Sequence, residues 1–280
     1  MSQGSSAPVR PVPPPALLAE LETFIQALNA AAAEVTLPLF RSGMGVDNKA
    51  GDGAFDPVTA ADRGAEAAVR KLIFERFPDH GVIGEEYGED RPDAEFVWVL
   101  DPVDGTRAFV AGLPLWAHLI GLRFQGEPLL GVIGQPYLNE VFLGAPSGSR
   151  LIRPEGERPL RVRPCARLTE ATVAATDPAA YFTGAEVGAW NQVRAGAQIV
   201  RLGGDSYIFA LLALGTIDLV VESHLKVWDI DPIVPVIENA GGVVADWRGL
   251  RLGRHGGQVV AAGDRRCLDD ALISLKRSAD

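Results

Sequence analysis

From Leu17 the apolar side chains Leu17, Leu21, Phe24, Leu28, Val35 and Leu39 recur at spacings of three, four or seven, with alanines between them. That stripe is the signature of a long amphipathic helix, which Pro38 should kink or end. A Gly- and Asp-rich loop runs from Gly43 to Asp56. Thr59 followed by Asp62 then reads as a helix capping box, with Val69, Leu72, Ile73 and Phe77 as the apolar face behind it. From Val82 the pattern changes to short apolar runs, Phe96–Leu100, Leu119–Phe124, Leu129–Ile133 and Val141–Leu143, separated by Gly, Pro and Asn. Connections as short as Gln125-Gly126-Glu127 can join only antiparallel strands.

The second half alternates. Strand-like Ala171–Ala175, Gln198–Leu202, Ile217–Glu222 and Gly242–Asp246 are interleaved with helical stretches near Ala185–Arg194, Asp205–Leu214 and Ile230–Asn239. Alternation of this kind predicts a layered sheet covered by helices, an α/β fold. With 280 residues the chain is one large domain or two closely joined ones. No Pro/Ser/Gly linker divides the halves. The expected organisation is a Ser/Pro-rich disordered tail over residues 1–15, then a single domain, 16–280. That domain has two lobes, an α+β lobe 16–165 and an α/β lobe 166–280.

Composition narrows the partners. Twenty-six Lys and Arg against 36 Asp and Glu leave a formal charge of −10, so neither nucleic acid nor an anionic membrane is the expected partner and cations suit the chain better. Two cysteines, Cys165 and Cys267, are too few for a disulfide framework, and a reducing cytoplasm is the expected location. The apolar runs are too short to span a bilayer, and the N-terminal stretch lacks the apolar core of a signal peptide.

The chemistry lies in carboxylates at the ends of predicted elements. Gly84-Glu85-Glu86 ends one strand, Asp101-Pro102-Val103-Asp104-Gly105-Thr106 ends another, and Trp228-Asp229 opens a helix that runs to Ala240-Gly241-Gly242. Such handovers are the usual seat of ligands in α/β folds. Like charges converging to about 4 Å would repel by roughly 4 kcal/mol each at an effective dielectric near 20, so the cluster demands a cation or protonation. Oxygen-only ligands select Mg²⁺, Mn²⁺ or Ca²⁺ over zinc. Pro102 restricts Asp101 to extended backbone, which lets Asp101 and Asp104 approach one site from opposite sides of a tight turn. Gly105 permits close approach of the backbone, and the amides of Gly105 and Thr106 would face an anion.

These three motifs, with Trp98-Val99-Leu100 before the second, resemble in content and order those of the inositol monophosphatase family of Mg²⁺-dependent, often lithium-sensitive phosphomonoesterases. The resemblance covers nearly the whole chain after the tail. It implies a layered α-β-α-β-α sandwich of the inositol monophosphatase and fructose-bisphosphatase type, a homodimer, and a small phosphate-ester substrate. It makes Glu85, Asp101, the Val103 carbonyl, Asp104 and Asp229 ligands of Mg²⁺, two or three ions per site, with Mn²⁺ a possible substitute. Asp62 matches the outer carboxylate that reaches a third metal through water. Thr106 with Glu85 would orient and help deprotonate the attacking water. Gly105, Thr106, the Gly204-Asp205-Ser206 turn, Glu222 and Asp229 would face the substrate.

Within the family, Asp104 to Phe109, Gly112 to Trp116, Arg201 to Tyr207 and Val220 to Lys226 look more like the histidinol-phosphate phosphatases. Asp205, where inositol enzymes tend to carry a neutral Thr, would suit a cationic amine. Asp231-Pro232 departs from the small or apolar residues usual at that helix start. The alternatives are an inositol monophosphatase of broader specificity, or a family member acting as a regulatory partner of transcription proteins. Other residues have plainer readings. Asp62 and Asp229 also suit helix caps, Glu86 and Glu89 solvated surface, and Trp98, Trp116 and Trp228 packing. His118 is structural, as is His224, although His224 is near enough to Glu222 to line a pocket. Arg107 would attract a phosphate or pair with a surface acid, and the two cysteines are inert thiols.

Overall fold

Helix α1, Pro15–Thr36, opens with proline in its first turn, where a missing N–H costs nothing, and ends two residues before Pro38. The computed structural model describes residues 12–43, 47–48, 57–253 and 256–279, with 47–48 and 57–58 described by backbone alone. The tail through residue 11 and most of the Gly43–Asp56 loop lie outside the described residues. Two short strands pair there, β1 (Asp47–Asn48) within that loop and β2 (Pro57–Val58) directly after it. Helix α2, Ala60–Arg76, begins at the expected capping box, in which Thr59 and Asp62 bond reciprocally.

Both helices cover one face of an eight-stranded sheet with order β10-β9-β8-β7-β6-β5-β3-β4. Its strands are β3 (Gly81–Gly84), β4 (Gly88–Asp90), β5 (Phe96–Asp104), β6 (Ala117–Phe124), β7 (Glu127–Gln135), β8 (Glu140–Ala145), β9 (Gly148–Arg153) and β10 (Gly156–Pro159). Pairing is antiparallel except between β3 and β5. Leu21, Ile25, Leu28, Val69 and Ile73 of the helices pack on Trp98, Leu100, Ile120, Leu122 and Val132 of the sheet. The short helix α3 (Thr106–Ala111) follows β5 directly.

A second sheet has order β12-β11-β13-β15-β14. β11 (Thr172–Ala175) runs parallel to β12 (Ile199–Leu202) and β13 (Leu219–Leu225), while β15 (Gly257–Ala262) is antiparallel to β13 and β14 (Val243–Ala245). Helices α4 (Pro178–Tyr181), α5 (Ala185–Gly196), α6 (Tyr207–Ala213), α7 (Val227–Ile230), α8 (Ile233–Glu238) and α9 (Arg265–Leu275) complete the order. α5 and α9 cover the outer face through Trp190, Val193, Leu268 and Leu272. α6 and α8 lie between the sheets, their apolar residues packing on Val220 and Val259 of one and on Leu119, Ile133 and Phe142 of the other. The layers are therefore α-β-α-β-α, the architecture expected.

Two expected helices differ in detail. The stretch Ile230–Asn239 is broken into α7 and α8, because Pro232 has no N–H to continue the ladder. A side chain at Gly131 would lie 1.9 Å from the Pro232 carbonyl, so the break sits directly on β7. Asp231 forms a buried ion pair with Arg123 of β6. Helix α6 starts at Tyr207 rather than Asp205, since Asp205 adopts a left-handed backbone with φ of 43°. Strands β4, β9, β10 and β15 and helix α9 were not indicated by the apolar runs; β4, β9 and β10 carry too many polar and Gly positions to stand out.

Candidate active site

The carboxylate-bearing ends of β3 and β5, the α6 start and the β13–α7 connection surround a cavity of about 470 Å³. β5 pairs with β6 through Asp101, slips in register, and pairs again at Asp104. The slip coincides with Pro102, which cannot donate to the ladder. Asp101 Oδ1 accepts the Val103 N–H at 3.1 Å, a local turn that holds the carboxylate. Asp229 arrives from α7, its Oδ2 accepting the Lys226 N–H at 2.6 Å. Asp101, Asp104 and Asp229 thus present oxygens all within 4.8 Å of one another, although Asp229 is 125 residues from Asp104 in sequence.

Electrostatics registers the crowding. Burial pushes the Asp101 carboxyl well above the usual range, and the charges of Glu85, Asp104, Asp229 and Asp62 push it further. Asp229 is raised by burial and then by Asp104. Asp104 is raised by burial although the Ser206 N–H donates to its Oδ2 at 2.6 Å. Three acids that resist ionising beside one another, with only oxygen donors, are a fit for a hard divalent cation.

Asp62 serves both of its readings. Its Oδ2 accepts from the Thr59 N–H and hydroxyl at 2.8 and 2.5 Å as a helix cap. Its Oδ1 lies 3.2 Å from the Thr106 hydroxyl, which is also 3.1 Å from the Val103 carbonyl. Asp62 stands behind Thr106 rather than in the cavity wall, which Thr106, Gly105, Asp104 and Val103 form with Glu85. Gly105 has φ of 81°, and a side chain there would meet Asp205 at about 3.0 Å. Gly204 is outside the wall; its missing side chain makes room for Ile208.

The loop that carries Glu85 is pinned by a residue the sequence reading passed over. Glu66 is fully buried and accepts the N–H groups of Glu86 and Tyr87 at 2.8 and 3.2 Å, while Arg70 pairs with it at 2.7 Å. A side chain at Gly84 would lie 2.1 Å from Glu66 Oε1. The available signal was spacing, since Asp62 and Glu66 are four apart on one helix face. Glu66→Ala is expected to destabilise by about 3 kcal/mol, as removal of one partner of a buried pair does. Gly84→Ala should cost a comparable amount, and the double substitution less than the sum, because both disturb one contact. Urea unfolding of the three variants checks this.

On the far wall, Glu222 Oε1 accepts the Thr176 N–H at 2.6 Å, and burial pushes its carboxyl up to about 8. Asp205 is pushed up to about 7 by burial and by Asp104, against the pull of Arg107. Arg107 lies over the Tyr181 ring at 5.4 Å. Trp98 and Trp116 are core residues as expected, but Trp228 lines the cavity while packing against the Ile83–Val99 cluster. His118 is buried between Asn29 and Thr36, and His224 is in the wall. Cys165 and Cys267 are buried, and burial raises both thiols. Thr176, Tyr181 and Phe209, which lie outside every motif, also line the cavity, as does Lys226 at the end of the Val220–Lys226 stretch.

A sequence profile of the inositol monophosphatase family matches residues 17–279. The chain belongs to that family. The phosphatase is 39% identical over 270 residues to the bifunctional phosphatase IMPL2, chloroplastic, of Arabidopsis thaliana, covering 92% of this chain and 76% of that protein. It is 33% identical to a histidinol-phosphatase of Chlorobaculum parvum, with 83% and 88% covered. Its fold superimposes on an inositol monophosphatase from Zymomonas mobilis with a TM-score of 0.82 at 37% identity, covering 92% and 98%. Membership makes it a hydrolase of phosphate monoesters in a metal-dependent family, and the three-carboxylate cluster has the oxygen donors to hold such a metal. Among the described residues no helix is long and apolar enough to cross a membrane.

Proposed function

We propose that the phosphatase hydrolyses L-histidinol phosphate to L-histidinol and inorganic phosphate. Glu85, Asp101, the Val103 carbonyl, Asp104 and Asp229 are the residues that would hold Mg²⁺, with Mn²⁺ a substitute, and Asp62 would reach a further ion through water. Bound divalent cations supply a lowered pKa for water and charge stabilisation of the departing alkoxide. Thr106, its single proton shared between Asp62 and the Val103 carbonyl, offers oxygen lone pairs to the attacking water and orients it. Glu85 accepts that water's proton. Gly105 and Thr106 flank the phosphate, and no residue needs to form a covalent phosphoryl intermediate.

The observation that carries the choice of ester is a second acidic pair, Asp205 and Glu222, in the same cavity as the metal carboxylates. Burial makes ionisation of both costly, so a ligand that brings its own positive charge gains by neutralising them. The amine of histidinol phosphate does this, and the hydroxyls of inositol do not. The likeness to a histidinol-phosphatase adds support.

Phosphate release from L-histidinol phosphate and myo-inositol 1-phosphate, each with Mg²⁺ and with EDTA, tests the reading. The expected kcat/KM ratio exceeds about a hundred, roughly 2.7 kcal/mol of transition-state discrimination. Asp205→Ala is expected to raise KM about ten-fold or more for the amine-bearing ester and far less for the inositol ester. Equal effects on both would refute the amine contact, and comparable wild-type rates would make this a broad phosphatase.

A further inference from the structure

Among the described residues six non-glycine positions have left-handed backbone, and only two of them, Asp205 and His224, line the cavity. His224 has φ of 61° and follows Glu222 at the point where β13 slips in register against β15. Glycine takes this conformation freely, so a histidine held in it is a reason to look for a task. The ring is held from behind. His224 Nε2 lies 3.2 Å from Oε2 of Glu186, a buried residue of α5.

Glu186 is itself fully engaged. It accepts the Ser223 hydroxyl at 2.5 Å, the Gln258 amide at 2.7 Å and the Thr183 N–H at 2.8 Å. Burial would raise its carboxyl, but these donors together with His224 pull it down to about 2. A carboxylate has no proton to give, so Nε2 must donate, and this sets the ring's tautomer when it is neutral. The other ring nitrogen is then an acceptor, on a side chain that is 52% exposed at the cavity wall.

We infer that His224, positioned by Glu186, is a specificity-determining residue that hydrogen-bonds an N–H or O–H group on the leaving alcohol of the substrate. The inference rests on the phosphatase reading of this cavity but not on which ester is hydrolysed. It assigns Glu186 a positioning role and separates this contact from the carboxylates of Asp205 and Glu222, which recognise charge. A leaving group with no donor, such as p-nitrophenolate, would gain nothing from His224.

The test is steady-state kinetics of the full-length protein with Mg²⁺ on L-histidinol phosphate, myo-inositol 1-phosphate and p-nitrophenyl phosphate. His224→Gly keeps the left-handed backbone without strain, so the variant folds. For whichever of the first two esters the wild type prefers, its kcat/KM relative to p-nitrophenyl phosphate is expected to fall about ten-fold, mainly through KM. Glu186→Gln should move the same ratio in the same direction by a smaller factor, and a wild-type ratio would remove Glu186 from the assignment. A uniform loss on all three esters in His224→Gly, or none, overturns the inference. A wild type that prefers the inositol ester overturns the histidinol reading alone, and activity on p-nitrophenyl phosphate only overturns both.

Discussion

Asp104→Asn is expected to lower kcat/KM by about 10²–10³ or more, the cost of removing one electrostatic stabiliser from a preorganised site, while the protein remains folded. The carboxylate sits where β5 resumes pairing with β6 and accepts the Ser206 N–H, a contact that the amide oxygen of the substituted residue can keep. What the substitution removes is charge. That charge helps lift Asp101, Asp229, Asp205 and Glu222, so its loss relieves repulsion across the whole cavity in the metal-free protein. Thermal melting in EDTA should therefore show the variant at least as stable as wild type, while phosphate release collapses. An active Asp104→Asn enzyme would sink the metal-site assignment.

The second large effect is a coupling of metal, pH and stability. Asp205 and Glu222 have folded pKa values of about 7 and about 8, above their ordinary values of 3.8 and 4.5. Each therefore contributes stability that is present below its unfolded pKa and is lost as pH rises through its folded one. Buried His80 and His118, pulled down by burial to about 4 and about 3, give the opposite slope, but only below their ordinary value of 6.5. Glu186 and Asp264, held at about 2, also titrate below this range. Between pH 6.5 and 8.5 in EDTA the Tm is thus expected to fall. Mg²⁺ at a hundred times its Kd adds about 2.7 kcal/mol, roughly 5–10 °C for a domain of this size. At one fixed Mg²⁺ concentration the gain should be larger at pH 8 than at pH 6, because binding must displace protons from the carboxylates and the apparent Kd therefore falls as pH rises. A metal-free Tm that rises with pH over this window, or an equal Mg²⁺ shift at both pH values, would contradict the arrangement.

Much of the site was legible because its parts are local. Thr59 and Asp62 are three residues apart and cap one helix, and Pro102 sets the bend between Asp101 and Asp104 within a single tight turn. Gly105 announces a close approach of the backbone in one residue, and the structure adds that it does so in a left-handed conformation. The antiparallel middle was readable from short connections, and the buried apolar stripes of α1 and α2 from their period. Family motifs then associated Asp229 with Asp101 and Asp104, which no spacing argument could do.

Sequence alone shows where strands hand over to loops, which acids stand at those ends, and that so many like charges brought together call for a cation or protonation. These follow from backbone sterics, hydrogen bonds within a few residues and the repulsion of like charges. It took the packed fold to show that Glu66 clamps the Glu85 loop, that Glu186 of α5 holds His224, that Arg123 answers the unusual Asp231, and that Trp228 faces the cavity while Trp98 and Trp116 do not. Each of the first three pairs a charged or polar side chain with a group 20 to 108 residues away. The periodicity of a single chain records which face of an element is buried but not which element will cover it, so such partners are chosen by packing.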